Sequence, residues 1–205
     1  MPAPVSVSYL QRKQPKQARS TRLVETILTA AIRVLEEEGV ERFTTARVAE
    51  SAGISIGSLY QYFPSKAAIL YRLQTDEWRD TAELTRSILQ DHTHPPFARL
   101  RKLVHAFLQS ECNEAEMRTA LYAAAPFFCQ TAIAQKKDSD IGRFLNDAFP
   151  EIPAAGRALA AELIEVTLKR GGKSFSETAR SAQDILEYSD AMADMFEAYL
   201  KQLCP

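Results

Sequence analysis

The sequence predicts an all-α protein, and three observations carry that prediction. Apolar residues recur at helical spacings of three and four over most of the 205 residues. Capping residues, glycines and prolines fall between the periodic runs. Strict alternation occurs once, at Val5-Ser6-Val7-Ser8-Tyr9, in a proline-flanked terminus that reads as a tail rather than a strand. Doubly wound sheets and sandwiches therefore have no strands to form from.

The first helix is expected to start at Ser20 or Thr21 as N-cap, because Val24, Ile27, Leu28, Ala31 and Leu35 then share one face. It should stop at Gly39, since glycine tolerates the left-handed backbone of a helix terminus. A short helix from Thr44 or Thr45 to about Ser51 follows, then a turn at Ala52-Gly53, then a helix from about Ser55 to Tyr62. Pro64-Ser65 breaks that helix and caps a longer one reaching about Asp91, with Ile69, Leu70, Leu73 and Trp78 inward. The segment His92-Thr93-His94-Pro95-Pro96 ends it, and three or four more helices are expected beyond. Pro126 should kink or end one of them, and the stretch from Phe149 to Pro153 another. The last two run roughly from Ala154 to Lys169 and from Ser176 to Leu203, with a turn at Gly171-Gly172 between them. In the final helix Ile185, Tyr188, Met192, Met195 and Tyr199 alternate spacings of three and four, and Phe196 and Leu203 widen the seam. Such a seam needs a partner helix.

A formal net charge of -1, from 25 Lys+Arg against 26 Asp+Glu, argues on average against a nucleic-acid binder. The average conceals a segregation. Residues 1 to 75 hold ten basic and six acidic side chains, so they carry +4 and the remainder -5. Arg12, Lys13, Lys16, Arg19 and Arg22 form a cluster with no acidic residue among them. Cys112, Cys129 and Cys204 are odd in number and contain no CxxC, so neither a disulfide framework nor a thiolate zinc site is expected. The longest apolar stretch, Leu121 to Cys129, is far below a bilayer span, and no export signal is read, so a cytoplasmic protein without a membrane anchor is expected.

The most informative segment runs from Thr44 to Leu70. Two short helices that cross steeply need a small residue at the contact, a glycine in the turn and an apolar anchor on the second helix. Ala49, Gly53 and Leu59 meet these needs, with Val48, Ile54 and Tyr62 available for a small core. This is a helix-turn-helix. The outward side of its second helix is polar: Ser55, Ser58 and Gln61 can bond phosphates or base edges, and Gly57 lets the backbone approach a groove wall.

On these residues, Thr21 to Leu70 resembles the DNA-binding domain of the tetracycline-repressor (TetR) family of transcriptional regulators. The matching stretches are Arg22 through Gly39, Phe43-Thr44-Thr45, Val48-Ala49, Ala52-Gly53 and Gly57-Ser58-Leu59-Tyr60-Gln61-Tyr62-Phe63-Pro64-Ser65-Lys66. Ala67 departs from the family pattern, which commonly has an acidic residue there. The resemblance implies a tail over 1–19, a DNA-binding domain over 20–66 and a helical ligand-binding and dimerisation domain over 67–205. It implies DNA contacts from Thr44, Thr45, Ser55, Ile56, Gly57, Ser58, Tyr60, Gln61, Tyr62 and Lys66, with Tyr60, Ser58 and Lys66 ranked first. Leu59 and Tyr62 fit the core equally well. The basic tail would add phosphate or minor-groove contacts.

The family also implies a homodimer on double-stranded operator DNA and a cavity for a small apolar or aromatic effector. Trp78, Phe107, Met117, Tyr122, Phe127 and Phe128 are the aromatic and thioether candidates for that cavity, although each would ordinarily be core. The dimer interface falls to the last two helices, through Leu159, Leu163, Val166, Ile185, Tyr188, Met192, Met195, Phe196 and Tyr199.

Three other signals compete. Gly53-Ile54-Ser55-Ile56-Gly57 is literally the G-x-S-x-G of a hydrolase nucleophile elbow, but an elbow needs a preceding strand, and helix precedes it here. Gly171-Gly172-Lys173-Ser174 resembles the end of a phosphate loop, with Thr167 where its first glycine belongs. His92 and His94 have no third ligand nearby. No enzyme, cofactor or metal is expected. The alternatives left open are a helical protein-binding adaptor that does not read DNA and, far behind it, a serine esterase using Ser55.

Overall fold

The computed structural model describes residues 18–124 and 139–204. Among the described residues there are nine α-helices and no strand. They divide into two compact units. The first comprises α1 (Ala18–Arg42), α2 (Thr45–Ser51), α3 (Ile56–Tyr60), the part of α4 (Lys66–Leu89) up to Trp78, and α6 (Ala115–Ala124) from Glu116. The second begins at Arg79 and comprises the rest of α4, α5 (Pro96–Asn113), α7 (Asp140–Ala148), α8 (Ala154–Ser176) and α9 (Ala182–Leu203). The expected boundary at residue 66 therefore gives way to one at Trp78, and the first unit recruits a helix from much later in the chain.

In the first unit, Val24, Ile27, Ala31 and Leu35 of α1 are buried at the expected spacings. The helix is already running at Ala18, so Ser20 and Thr21 lie inside it rather than at a cap. Alanine and arginine, strong helix formers, carry it past the expected start. Gly39 has φ 71 and ψ 173, and the straight run of α1 ends there as expected before one further turn to Arg42. Thr44 caps α2, its Oγ1 accepting from the Arg47 N–H at 3.2 Å.

The turn after α2 is closed by Ala52 N–H to Val48 O at 2.9 Å, Gly53 N–H to Glu50 O at 3.0 Å and Ile54 N–H to Ala49 O at 3.0 Å. Gly53 takes φ 65 to allow this. A Cβ at Gly53 would meet nothing within 4 Å, so Gly53→Ala tests the backbone alone. It is expected to lower the unfolding free energy by about 1–2 kcal/mol, the left-handed penalty of an L-residue, in urea denaturation. An unchanged midpoint would mean that the turn re-forms with another backbone.

Ser55 caps α3, its Oγ accepting from Ser58 N–H at 3.1 Å. The helix ends at Tyr60, two residues short of the expected Tyr62. Tyr62 and Phe63 N–H groups both donate to Leu59 O, at 3.0 and 2.9 Å, and both side chains turn into the core. Pro64 disfavours helical backbone at Phe63, so the helix cannot run on through it. Ser65 Oγ then accepts from Ala68 N–H at 3.2 Å and opens α4.

Ile69, Leu70 and Leu73 are buried as expected, whereas Trp78 is 44% exposed. The inward positions at its level belong to Gln74 and Glu77. Glu77 Oε1 lies 2.8 Å from Arg118 Nη1 of α6, with both side chains almost wholly buried, and Gln74 Nε2 donates to Glu77 Oε2 at 3.0 Å.

In the loop after α4, hydrogen bonds from Thr93 draw the Asp91 carboxyl down to about 2. Pro96 then occupies the first turn of α5, so the double proline starts a helix as well as following one. Five helices lie beyond α4 among the described residues, where three or four were expected. α7 ends at Ala148, ahead of the Phe149–Pro153 segment, as expected. Pro126 lies outside the described residues.

The core of the second unit is built on Leu103, Val104, Phe107 and Leu108 of α5. Arg101 pairs with Asp190 at 3.0 Å, with Asp194 and with Glu197 at 3.4 Å, and His105 Nε2 lies 2.9 Å from Asp190, tying α5 to α9. α8 runs through Gly171-Gly172 to Ser176, so no turn forms there. A Cβ at Gly172 would come within 3.0 Å of Phe107 Cε1 and 3.2 Å of Glu111 Cγ. The glycine serves the close approach of α8 to α5. α9 consequently starts at Ala182 rather than Ser176, with Ser181 and Asp184 forming a reciprocal capping box.

Candidate DNA-binding site

The capping bonds at Thr44 and Ser55 decide what the helix-turn-helix shows to solvent. With Leu59, Tyr62 and Phe63 turned inward, Ser55, Ile56, Gly57, Tyr60 and Gln61 are exposed and Ser58 is half-buried. Ile56 at 40% and Tyr60 at 42% exposure are large apolar bodies left on a five-residue helix. Tyr60 OH and Thr45 Oγ1 are 3.1 Å apart, which joins the start of α2 to the end of α3. Ser55 and Ser58 Oγ atoms are 2.8 Å apart. Thr44 is exposed and Thr45 half-buried. No acidic side chain lies in the first turn of α2, α3 or α4.

Two residues of the expected set have other employment. Tyr62 is only 5% exposed and belongs to the core. Lys66 is half-buried, its Nζ donates to Val40 O just beyond the Gly39 kink, and it lies 5.8 Å from the Phe43 ring centroid. Burial lowers its pKa, against an opposing pull from Glu41. This lysine fastens the start of α4 to the end of α1. Ala67, which departs from the family's common acidic residue, is buried.

A groove that sequence reasoning missed lies along α1. Arg22, Thr26, Thr29 and Arg33 line it with Glu25, Ser51 and Ala52, enclosing about 420 Å³. The spacings of four, three and four were a readable signal. Arg47 instead pairs with Glu38. Arg12, Lys13 and Lys16 lie outside the described residues, as does the side chain of Arg19.

Residues 27–73 match the family described as bacterial regulatory proteins, tetR family, and residues 95–203 match the tetracyclin repressor-like C-terminal domain. The chain belongs to the TetR family. Its all-α architecture, an N-terminal helix-turn-helix followed by a C-terminal helical domain, accords with that family. Among curated relatives, the nucleoid occlusion factor SlmA of Vibrio vulnificus is 40% identical over 81 residues, which cover 32% of this chain and 41% of SlmA. The HTH-type transcriptional repressor KstR of Mycolicibacterium smegmatis is 29% identical over 134 residues, covering 63% of this chain and 62% of KstR. The chain thus spans less than two thirds of the length of either relative. The fatty acid degradation regulator FadR of Bacillus halodurans shares the fold at a TM-score of 0.61 and 15% identity, over 89% of this chain and 96% of that one.

The TetR-family resemblance also implied an effector cavity and a dimer face. Phe107 is buried in the core of the second unit against the Gly172 position, and Met117 is half-buried against the core of the first. Trp78 and Tyr122 are exposed, and Phe127 and Phe128 lie outside the described residues. Of the dimer candidates, Ile185, Met192 and Phe196 are buried within their own chain, and Tyr199 is half-buried against the same core. The helix their seam needed is α5. Leu159, Leu163, Val166, Tyr188 and Met195 remain exposed, with Leu186 beside them in the sequence. Tyr188 stacks on Phe175 with ring centroids 4.1 Å apart.

Ser55, the serine of G-x-S-x-G, spends its oxygen on the α3 cap and on Ser58. His94 Nδ1 lies 3.0 Å from Asp91 Oδ2. Among the described residues no group of three or more His, Cys, Asp or Glu is arranged to hold a metal, and no helix is long and apolar enough to cross a membrane.

Proposed function

We propose that this TetR-family chain is a cytoplasmic, non-enzymatic, homodimeric repressor that inserts α3 of each subunit into successive major grooves of a near-palindromic operator and is released by a small effector. The observation that carries this reading is the exposure on α3 of Ser55, Ile56, Gly57, Tyr60 and Gln61 while Leu59 anchors it. DNA contact falls to these residues with Thr44, Thr45 and Ser58, and phosphate contact to Arg22 and Arg33 along α1. Lys66 contributes only as far as its bond to Val40 O leaves it free. No aromatic residue is assigned to the effector.

Selection of duplexes from a random oligonucleotide pool by the purified protein tests sequence-specific binding directly. An enriched near-palindrome is the expected result. Tyr60→Ala is expected to weaken operator binding by about one to two orders of magnitude, as for the loss of about 1–3 kcal/mol at a base contact. Its unfolding midpoint should move little, because the side chain is exposed. Lys66→Ala is a poorer test, since it also removes the partner of Val40 O. Gly57→Ala completes the set: its new methyl meets only Ser55 Oγ at 3.9 Å, so weaker operator binding with an intact fold indicates close approach of the backbone to DNA. A protein-binding adaptor would enrich no duplex and would be indifferent to all three substitutions.

The exposed residues Leu159, Leu163 and Val166 lie four and three apart on α8, one stripe of a helix surface, and α9 adds Leu186 and Met195. Apolar exposure of this extent supports pairing with a second copy. Sedimentation equilibrium should give a dimer for the unmodified chain and a monomer for Leu163→Glu. A monomer in both cases removes the dimer from the proposal.

A further inference from the structure

The second unit contains a small cavity whose walls are cationic. It encloses about 60 Å³ and lies against the last turns of α4, the loop after it, the start of α5 and α7. Arg86, Arg99 and Arg143 line it with His92, Asp140 and Phe144. Arg99 is the unusual member. It is only 6% exposed, and no carboxylate pairs with it. Its Nη1 donates to Leu89 O at 2.6 Å and lies 3.5 Å from His92 Nδ1, while its guanidinium stands 5.1 Å from the centroid of the Phe144 ring. Its Nε is buried and has no hydrogen-bond partner.

A buried guanidinium with an unmet donor is costly, because it has left water without replacing what water supplied. The nearby carboxylate does not offset it, since Asp140 is engaged by Arg86 Nε at 3.3 Å and by Arg143. With Asp147 also on the lining, three guanidiniums face two carboxylates, and the cavity carries +1 when His92 is counted neutral. A ligand that supplies acceptor oxygens and one negative charge meets both deficits at once. Guanidinium groups are the side chains whose planar donors match carboxylate and phosphate oxygens.

We infer that this cavity binds the oxyanion group, a carboxylate or a phosphate, of a small ligand, with Arg99 as the buried acceptor-seeking donor and Arg86 and Arg143 at the opening. A space of about 60 Å³ is on the scale of one such group. Ligand binding here does not depend on the DNA-binding reading; only its use as the signal for operator release rests on it.

The test is calorimetric titration of the purified full-length chain with sodium phosphate and, separately, with sodium acetate, at constant ionic strength set by sodium chloride. Saturable binding of at least one of the two, at one site per chain, is expected, and the stronger anion identifies which oxyanion the cavity prefers. Arg143→Gln and Arg86→Gln, both on partly exposed side chains, should each weaken that binding by about tenfold or more, equivalent to about 1.4 kcal/mol. Arg99→Met should abolish it while keeping the volume of the side chain, and the two glutamine variants keep the test decisive if Arg99→Met misfolds. Absence of saturable binding by either anion, or equal affinity in the unmodified and glutamine chains, overturns the inference. The selected operator is then titrated with the bound anion, so that a chain that binds anion but no operator fails the DNA reading alone.

Discussion

Operator affinity falls by about 10³–10⁵-fold as salt rises from about 50 to about 200 mM, the loss expected when a dimer neutralises about six to ten phosphates and releases their counterions. The effect is large because the charge is segregated. A chain with formal net charge -1 would show little general attraction for a polyanion, but its first 75 residues carry +4. A plot of log affinity against log salt, measured on the selected operator, reads this directly. Arg22→Ala should reduce the slope by about 1 for each phosphate that the arginine neutralised, while leaving the preferred sequence unchanged. Tyr60→Ala should do the reverse and weaken discrimination between bases more than it alters the slope. A flat profile for the unmodified protein would falsify the phosphate contacts proposed for α1.

Arg118→Met lowers the unfolding free energy by about 3–5 kcal/mol, the cost of leaving a buried charge without its partner. The pair concerned is Glu77–Arg118, 2.8 Å apart with both side chains almost wholly buried. Gln74 Nε2 also donates to the Glu77 carboxylate, at 3.0 Å, but carries no charge to balance it. Domains hold together by about 5–15 kcal/mol in total, so the single variant should lose a large part of its margin. Glu77→Leu combined with Arg118→Met removes both charges and should regain most of that loss, since apolar replacements of buried ion pairs are often neutral or stabilising. Urea denaturation of the two single variants and the double variant measures the coupling. Additive losses would mean that the two side chains do not depend on each other.

Legibility in the sequence followed how local each determinant is. Ser65 caps the helix expected of it, the helices expected from Thr44 and Ser55 begin at those residues as their caps, and Gly39 and Gly53 take positive φ, because such determinants act within a few residues. The cap expected at Ser20 or Thr21 was missed because α1 starts earlier, at Ala18. The outward set on α3 was legible for the same reason, and Tyr62, which the sequence left between core and DNA face, takes the core position. Long-range contacts were not legible. Gly171-Gly172 reads locally as a turn, and only the ring of Phe107 shows why the helix needs a bare backbone there. The α9 seam was visible as a period, but a period names no partner, and α5 takes Ile185, Met192 and Phe196. Lys66 reads as a DNA contact until Val40 O is found beside its amine. The arginine cavity had no signature, since Arg86, Arg99 and Arg143 are scattered over three helices.

The packing of α9, the last helix made, against α5 has a consequence in time. The first unit has every described segment that it packs once Ala124 has been made, whereas the second lacks Ile185, Met192, Phe196 and Leu200 until the last helix has been translated. At about 5–20 residues per second, the interval between those two points is on the order of 4 to 16 s. During that interval the face of α5 that α9 will cover stands open, so the apolar surface that chaperones recognise persists longest in the second unit.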